Sequence, residues 1–305
     1  AYTFSQDSDA PHGFNNSLKV ACTTADASPA SGSISRITYK TEAQDLQPLA
    51  KGTSSAKAST LSFYVKTNKT GVYTVFVYDD DNNRMFSASY TVSDTNWNRY
   101  TINIPADTTG VINHDNGTGF VINFGLSLGS ARTSGSLAST WATYSTANEH
   151  VGNVNFADNT SNVWAITGVQ LEVDHTGSGV ATDFEHKSYA QELAACQRYY
   201  FRLAESADHR PICMGSAYTS SINLGIVHFP CKMRTNPTVE AANASNYYRA
   251  ITNGTTVFAS NVVIEDANST CCGVRFTGGS GMTQGYATYN RLGNASAYVA
   301  FNAEL

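Results

Sequence analysis

The stretch Val163-Trp164-Ala165-Ile166-Thr167-Gly168-Val169-Gln170-Leu171-Glu172-Val173 is the longest β-forming run in the chain, and the fold is read outward from it. Its β-branched and aromatic residues suit a pleated, half-buried surface, and Trp164, inside the run, is expected in the core. The same chemistry recurs upstream. Leu61-Ser62-Phe63-Tyr64-Val65-Lys66 and Tyr73-Thr74-Val75-Phe76-Val77-Tyr78 are strands joined by a turn at 68–71. The second of these stops at Asp79-Asp80-Asp81-Asn82-Asn83 and is followed by Met85-Phe86-Ser87-Ala88-Ser89-Tyr90, which reads as a hairpin. Two further alternating runs start at Trp97 and at Phe120. Trp97, which opens its run, is also expected in the core. Many strands with turns at short intervals and no interleaved helices predict an all-β chain whose N-terminal part is an antiparallel jelly-roll sandwich.

Composition agrees. The 305 residues are 41% hydrophobic, ample for one or two cores. Charged residues make only 14%, against roughly 25% in soluble domains generally. The gap is filled by 32 Ser, 34 Thr and 26 Asn, which suit turns and the solvent faces of strands and are poor helix formers. Seventeen Tyr, 14 Phe and 3 Trp exclude disorder. A net charge of −5 without a basic cluster argues against nucleic acid and against an anionic membrane surface. No apolar run is long enough for a transmembrane helix, and the N-terminal residues 1–5 lack a signal-peptide pattern. The six cysteines, Cys22, Cys196, Cys213, Cys231, Cys271 and Cys272, lack paired metal-site spacings and are expected to be free thiols, as in a reducing cytoplasm.

One segment departs from the strand pattern. Between 188 and 204, Tyr189, Leu193, Cys196, Tyr200 and Leu203 recur at helical steps, with Ser188 as N-cap and Gln191 completing a capping box. The expected organisation is a jelly-roll domain over 1–185, a connecting helix over 186–205 and a smaller β-sandwich over 206–305. The helix either packs on its own sandwich, the favoured reading, or forms a short three-fold seam.

No catalytic signature is present. Glu42, Glu149, Glu172 and Glu185 show no spacing that couples two of them for glycoside hydrolysis, and are expected as solvated surface carboxylates. The seven histidines are scattered, and G-x-S-x-G is absent. Calcium is the one cofactor considered, with ligands from Asp79, Asp80 and Asp81 or from Asp7 with Asp9; the alternative is that these residues simply form turns. Sugar binding calls for open aromatic platforms, for which Trp141, Tyr144, Tyr247, Tyr248, Tyr286 and Tyr289 are the candidates off the clear strands. For each, the competing reading is burial at a domain edge or subunit interface.

Segments 164–173, 181–189 and 192–200 together resemble a signature of virion fibre-like structural proteins of tailed phages and marine viruses. Segments 57–66, 108–110, 155–158, 229–239 and 301–305 resemble further elements of the same chains. The match departs at Asp183, where proline is common, and at Asp174-His175, where glycine is usual. The resemblance implies a non-enzymatic tail-fibre or capsid-fibre component, assembled in the host cytoplasm and displayed on the virion surface. It implies a homo-oligomer, commonly a trimer, with other virion proteins as partners and a distal β domain that meets host-surface glycan. A monomeric carbohydrate-binding module is the alternative, and a polysaccharide depolymerase the third reading.

Overall fold

Side-chain alternation over Val163–Thr167 sends Trp164 and Ile166 into a hydrophobic core and leaves Val163 and Ala165 on the opposite face. In the computed structural model, which describes residues 1–205 and 209–305, this run is the tenth strand of an all-β chain. Residues 1–185 and 186–305 form two compact units. A domain boundary at 205/206 falls at residues 206–208, which lie outside the described residues.

The first unit contains β1 (Tyr2–Asp7), β2 (Ser17–Cys22), β3 (Ile34–Glu42), β4 (Ser59–Thr67), β5 (Gly71–Asp79), β6 (Arg84–Val92), β7 (Asn98–Ile104), β8 (Thr118–Leu128), β9 (Ala142–Thr143) and β10 (Val163–Val173). They make two five-stranded antiparallel sheets, ordered β1-β2-β10-β4-β7 and β3-β8-β5-β6-β9. The turn after β4 therefore crosses from one sheet to the other, whereas β5 and β6 form the hairpin read from the sequence. Inward residues of both sheets interlock as an aromatic core. Phe63 lies edge-on to Phe124 at 5.0 Å and to Tyr90 at 5.1 Å, and Trp164 is fully buried beside Phe124.

A charged network is sealed at one end of this core. The Lys51 ammonium lies 2.5 Å from Asp79 and 3.0 Å from Asp107, donates to the carbonyls of Thr109 and Gly110, and sits over the Trp141 ring. Arg84 completes it with two hydrogen bonds to Asp107. Burial pushes the Asp107 carboxyl up, but hydrogen bonds from Arg84 and Lys51 outweigh it and hold the group below the usual carboxylate range.

β10 carries a bulge between Thr167 and Gln170, where Gly168 adopts φ +60°. A Cβ there would also stand 2.6 Å from the Phe14 ring, so glycine is required twice over.

The second unit begins with α1 (Tyr189–Gln197), followed by β11 (Tyr200–Glu205), β12 (Pro211–Ala217), β13 (Asn223–His228), β14 (Thr238–Ala241), β15 (Tyr248–Thr252), β16 (Thr255–Ala259), β17 (Asn261–Ala267), β18 (Cys271–Thr277), β19 (Ala287–Leu292) and β20 (Tyr298–Asn302). Sheets ordered β11-β20-β14 and β16-β15-β19-β12-β13-β18-β17 enclose its core. The Ser188–Gln191 capping box forms, but the helix stops at Gln197. Tyr200 and Leu203 belong instead to β11, whose backbone pairs with β20, so ladder hydrogen bonds override the helical period there. Contrary to expectation, α1 has no buried residue: Tyr189 is 81% and Leu193 40% exposed. Its C-terminal end is tied down by Arg234 N–H to the Arg198 carbonyl and Cys231 Sγ to the Ala194 carbonyl. No helix among the described residues is long and apolar enough to cross a membrane.

Lys51→Ala leaves the buried Asp79 carboxylate without its counter-ion, Asp107 keeping Arg84, and is expected to cost about 3–5 kcal/mol, measured as a lower urea midpoint for the first unit.

Candidate functional site

The outward face of sheet β1-β2-β10-β4-β7 is built by strand register. Ala165 pairs with Lys19 on one side and with Lys66 on the other, so the two lysines flank a small apolar floor completed by Val163. Continuing the β4–β7 register one position past Val65↔Asn98 brings Trp97 opposite Lys66. Segment 181–185 lies on part of this face: Thr182 N–H donates to Glu172, Glu185 N–H donates to the Gln170 side chain, Arg99 donates to the Thr182 carbonyl, and Phe184 packs on Phe14. Around Ala165 and Val163 the face holds a solvent-facing cleft of about 490 Å³, within the size range of ligand sites.

Acid–base pairs wall the cleft. Lys19 Nζ lies 2.7 Å from Asp7 Oδ2 and Lys66 Nζ 2.7 Å from Asp9 Oδ2. Asp9 Oδ1 accepts the indole N–H of Trp97 at 3.0 Å, fixing a half-buried ring beside the cleft and outside the core cluster. The expectation that Trp97 is core is thus corrected: it precedes β7, and its polar edge is drawn to an exposed carboxylate. The Lys19 and Lys66 hydrogen bonds hold the Asp7 and Asp9 carboxyls below the usual range. Thr67, Asn68, Thr95 and Asn96 add hydroxyls and amides to the rim. Asp7 and Asp9, considered above as calcium ligands, have all four carboxylate oxygens engaged by N–H donors: the two lysines, Trp97 and the Asp9 backbone.

The other candidates are dispersed. Trp141 has its N–H on the Pro105 carbonyl, its ring 5.3 Å from Phe120 and one face beneath Lys51, so it is not an open platform. Tyr144 is held by its hydroxyl to Glu149 at 2.6 Å and packs edge-on to Tyr78. Tyr248 is 1% exposed and lies in the second core, its hydroxyl bonded to the Ala242 and Tyr298 carbonyls; Tyr247 packs against the same core. Tyr289 is half-buried on β19. Tyr286 is 47% exposed, and Tyr218, not singled out from the sequence, is 59% exposed; the bond from Ala217 N–H to the Tyr286 carbonyl places both at one end of the larger sheet. The calcium candidates are held by the protein's own side chains to different degrees. Asp79 is buried against Lys51 and Asn82, Asp81 accepts two bonds from Asn113, and only Asp80 is exposed. Among the described residues no three His, Cys, Asp or Glu side chains group to hold a metal ion.

Glu42 and Glu149, expected at the surface, are buried. Segment 129–154 folds over the outward face of the second sheet, and the Glu149 carboxylate is closed by Arg132 at 2.5 Å, Arg36 at 3.2 Å and Tyr144. Next to it, His150 Nδ1 lies 2.8 Å from Thr74 Oγ1, whose own proton goes to Asn153 Oδ1, so Nδ1–H donates and Nε2 is left deprotonated. Nε2 is buried without a hydrogen-bond partner.

No protein-family model and no curated protein matches the sequence. Among solved structures, similar chains include three from Paenibacillus barcinonensis Xyn10C. The CBM22-1 xylan-binding domain is 9% identical and covers 56% of this chain and 81% of its own, with a TM-score of 0.30. The CBM22-2 xylan-binding domain is 17% identical and covers 56% and 87%, at 0.31. The N-terminal CBM22-1-CBM22-2 tandem domain is 9% identical and covers 99% and 90%, at 0.31. Likeness at this level says nothing about the ligand of the present chain.

Burial, and then the nearby Arg36 and Arg132, push the His150 imidazole down to about 3. The unfolded chain takes up that proton near pH 6.5 and the folded chain only near 3, so stability is full above pH 6.5 and falls as the pH drops through that window, by up to about 1.4 kcal/mol per unit. Denaturant midpoints at pH 7.0, 5.5 and 4.5 are expected to decline, and to decline less in His150→Gln; the lowered aspartates act only below their unfolded range near pH 4.

Proposed function

We propose that this protein is a non-catalytic carbohydrate-binding β-sandwich protein and that the cleft beside Trp97 takes the sugar. One observation carries the reading: a tryptophan whose N–H is held by Asp9, itself a wall of an open cleft whose floor is Ala165 and Val163 and whose other walls are hydroxyls, amides and paired charges. A pyranose offers C–H groups on its ring faces and hydroxyls around its edge. An aromatic ring and a small apolar floor suit the first, and the polar rim suits the second. The closed Glu149 cluster does not supply a depolymerase acid, because its carboxylate oxygens are already taken by two arginines and a tyrosine.

A virion role is a second proposal. It rests on the likeness of 164–200 to fibre-like virion proteins, and it makes this chain a tail-fibre or capsid-fibre component at the virion surface. Exposed Tyr189 and Leu193, four residues apart on α1, favour self-association, because they form an apolar stripe that a single chain leaves uncovered. A trimer closing on that stripe is the form proposed.

Glycan-array and calorimetric binding of the full chain is expected, with Trp97→Ala raising Kd about tenfold or more, as for loss of an aromatic anchor worth roughly 1.5–3 kcal/mol. Absence of array hits, or hits unchanged in both Trp97→Ala and Lys66→Ala, would overturn the sugar site. Mass photometry is expected to show an oligomer that Leu193→Glu dissociates; a wild-type monomer at micromolar concentration counts against the trimer.

A further inference from the structure

Among the described residues the walls of the cleft contain Asp7, Asp9, Lys19 and Lys66 and no other ionisable side chain. The two ammonium groups and two carboxylates cancel, and each ammonium is already 2.7 Å from its own carboxylate. Asp94, next in sequence to the lining residue Thr95, adds a further negative charge nearby.

Resting on the carbohydrate reading above, we propose that the cleft selects uncharged glycans and discriminates against carboxylated or sulfated ones. A lysine has three N–H donors and a carboxylate about four acceptor sites. After the contacts described, Lys19 and Lys66 retain donors and Asp7 and Asp9 retain acceptor capacity, side by side over the same floor. A hydroxyl both donates and accepts, so it satisfies both members of such a pair. An anionic oxygen only accepts, and whatever it gains from the ammonium is offset by the aspartate beside it. An ammonium on an amino sugar meets the mirror-image problem. With the charges locked in pairs, a neutral ligand binds without net ion pairing, so its affinity does not depend on salt.

The test compares the full chain on neutral oligosaccharides and on their carboxylated counterparts of the same linkage, such as methyl-esterified and free oligogalacturonates, alongside a general array. Neutral ligands are expected to bind, with Kd unchanged between 50 and 500 mM NaCl. Asp7→Asn releases Lys19 at the side of the cleft away from Trp97, and is expected to strengthen binding of carboxylated glycans roughly two- to fivefold, the scale of an exposed ion pair. Asp9→Asn repeats the test at Lys66. Stronger wild-type binding to the anionic member overturns the selectivity and leaves the carbohydrate reading standing. So does neutral binding combined with no anionic gain in either variant. Failure of all glycans, charged and uncharged, removes both.

Discussion

The ladder that β10 makes with β2 on one side and β4 on the other is the constraint on which the first unit depends. Because successive side chains point to opposite faces, the register that seats Trp164 and Ile166 in the core also places Ala165 between Lys19 and Lys66 outside it. A one-residue slip would expose the tryptophan and erase the cleft together. The bulge at Thr167–Gln170 ends this register in a controlled way, and Gly168 gives Phe14 room to lie on the sheet. Core packing and site geometry are therefore a single commitment of the chain.

A second constraint acts at the other end of the sandwich. Lys51, Asp79, Asp107 and Arg84 come from four separate segments and are joined inside the protein, where removing one partner leaves another charged and dry. Trp141 and the Asp79–Asp81 turn are absorbed by this network, which is why neither offers a ligand surface. The Glu149–Arg36–Arg132 group does the same on the far sheet beneath segment 129–154. Several of the first unit's charges are thus used in pairs, in the core, under the loops and in the cleft. In the folded protein the cleft face is near-neutral, its two lysines each paired with an aspartate.

Much of the fold was legible in local pattern. Period-two runs such as 61–66 and 73–78 became β4 and β5, Trp164 was buried as its run implied, and the Ser188–Gln191 capping box formed. Local pattern failed where long-range pairing competed with it. Tyr200 and Leu203 keep helical spacing, yet both lie on β11, which β20 captures by pairing on either side of Leu203. Trp97 has a strand-like neighbourhood, yet Asp9, 88 residues away, holds its N–H outside the core. Glu149 looks like any surface glutamate until Arg132 of its own segment and Arg36, 113 residues away, close over it.

The sequence by itself determined that the chain is all-β, where most strands and their turns lie, and that Trp164 inside its strand is buried, because these depend on alternation and turn chemistry within a few residues. Only the tertiary structure decided which polar residues meet. Asp9 finds Lys66 across 57 positions, and Lys19 reaches the same floor through a strand from the other end of the unit. No local rule encodes those distances. They follow from sheet order and register, which are settled by how the two inner faces pack.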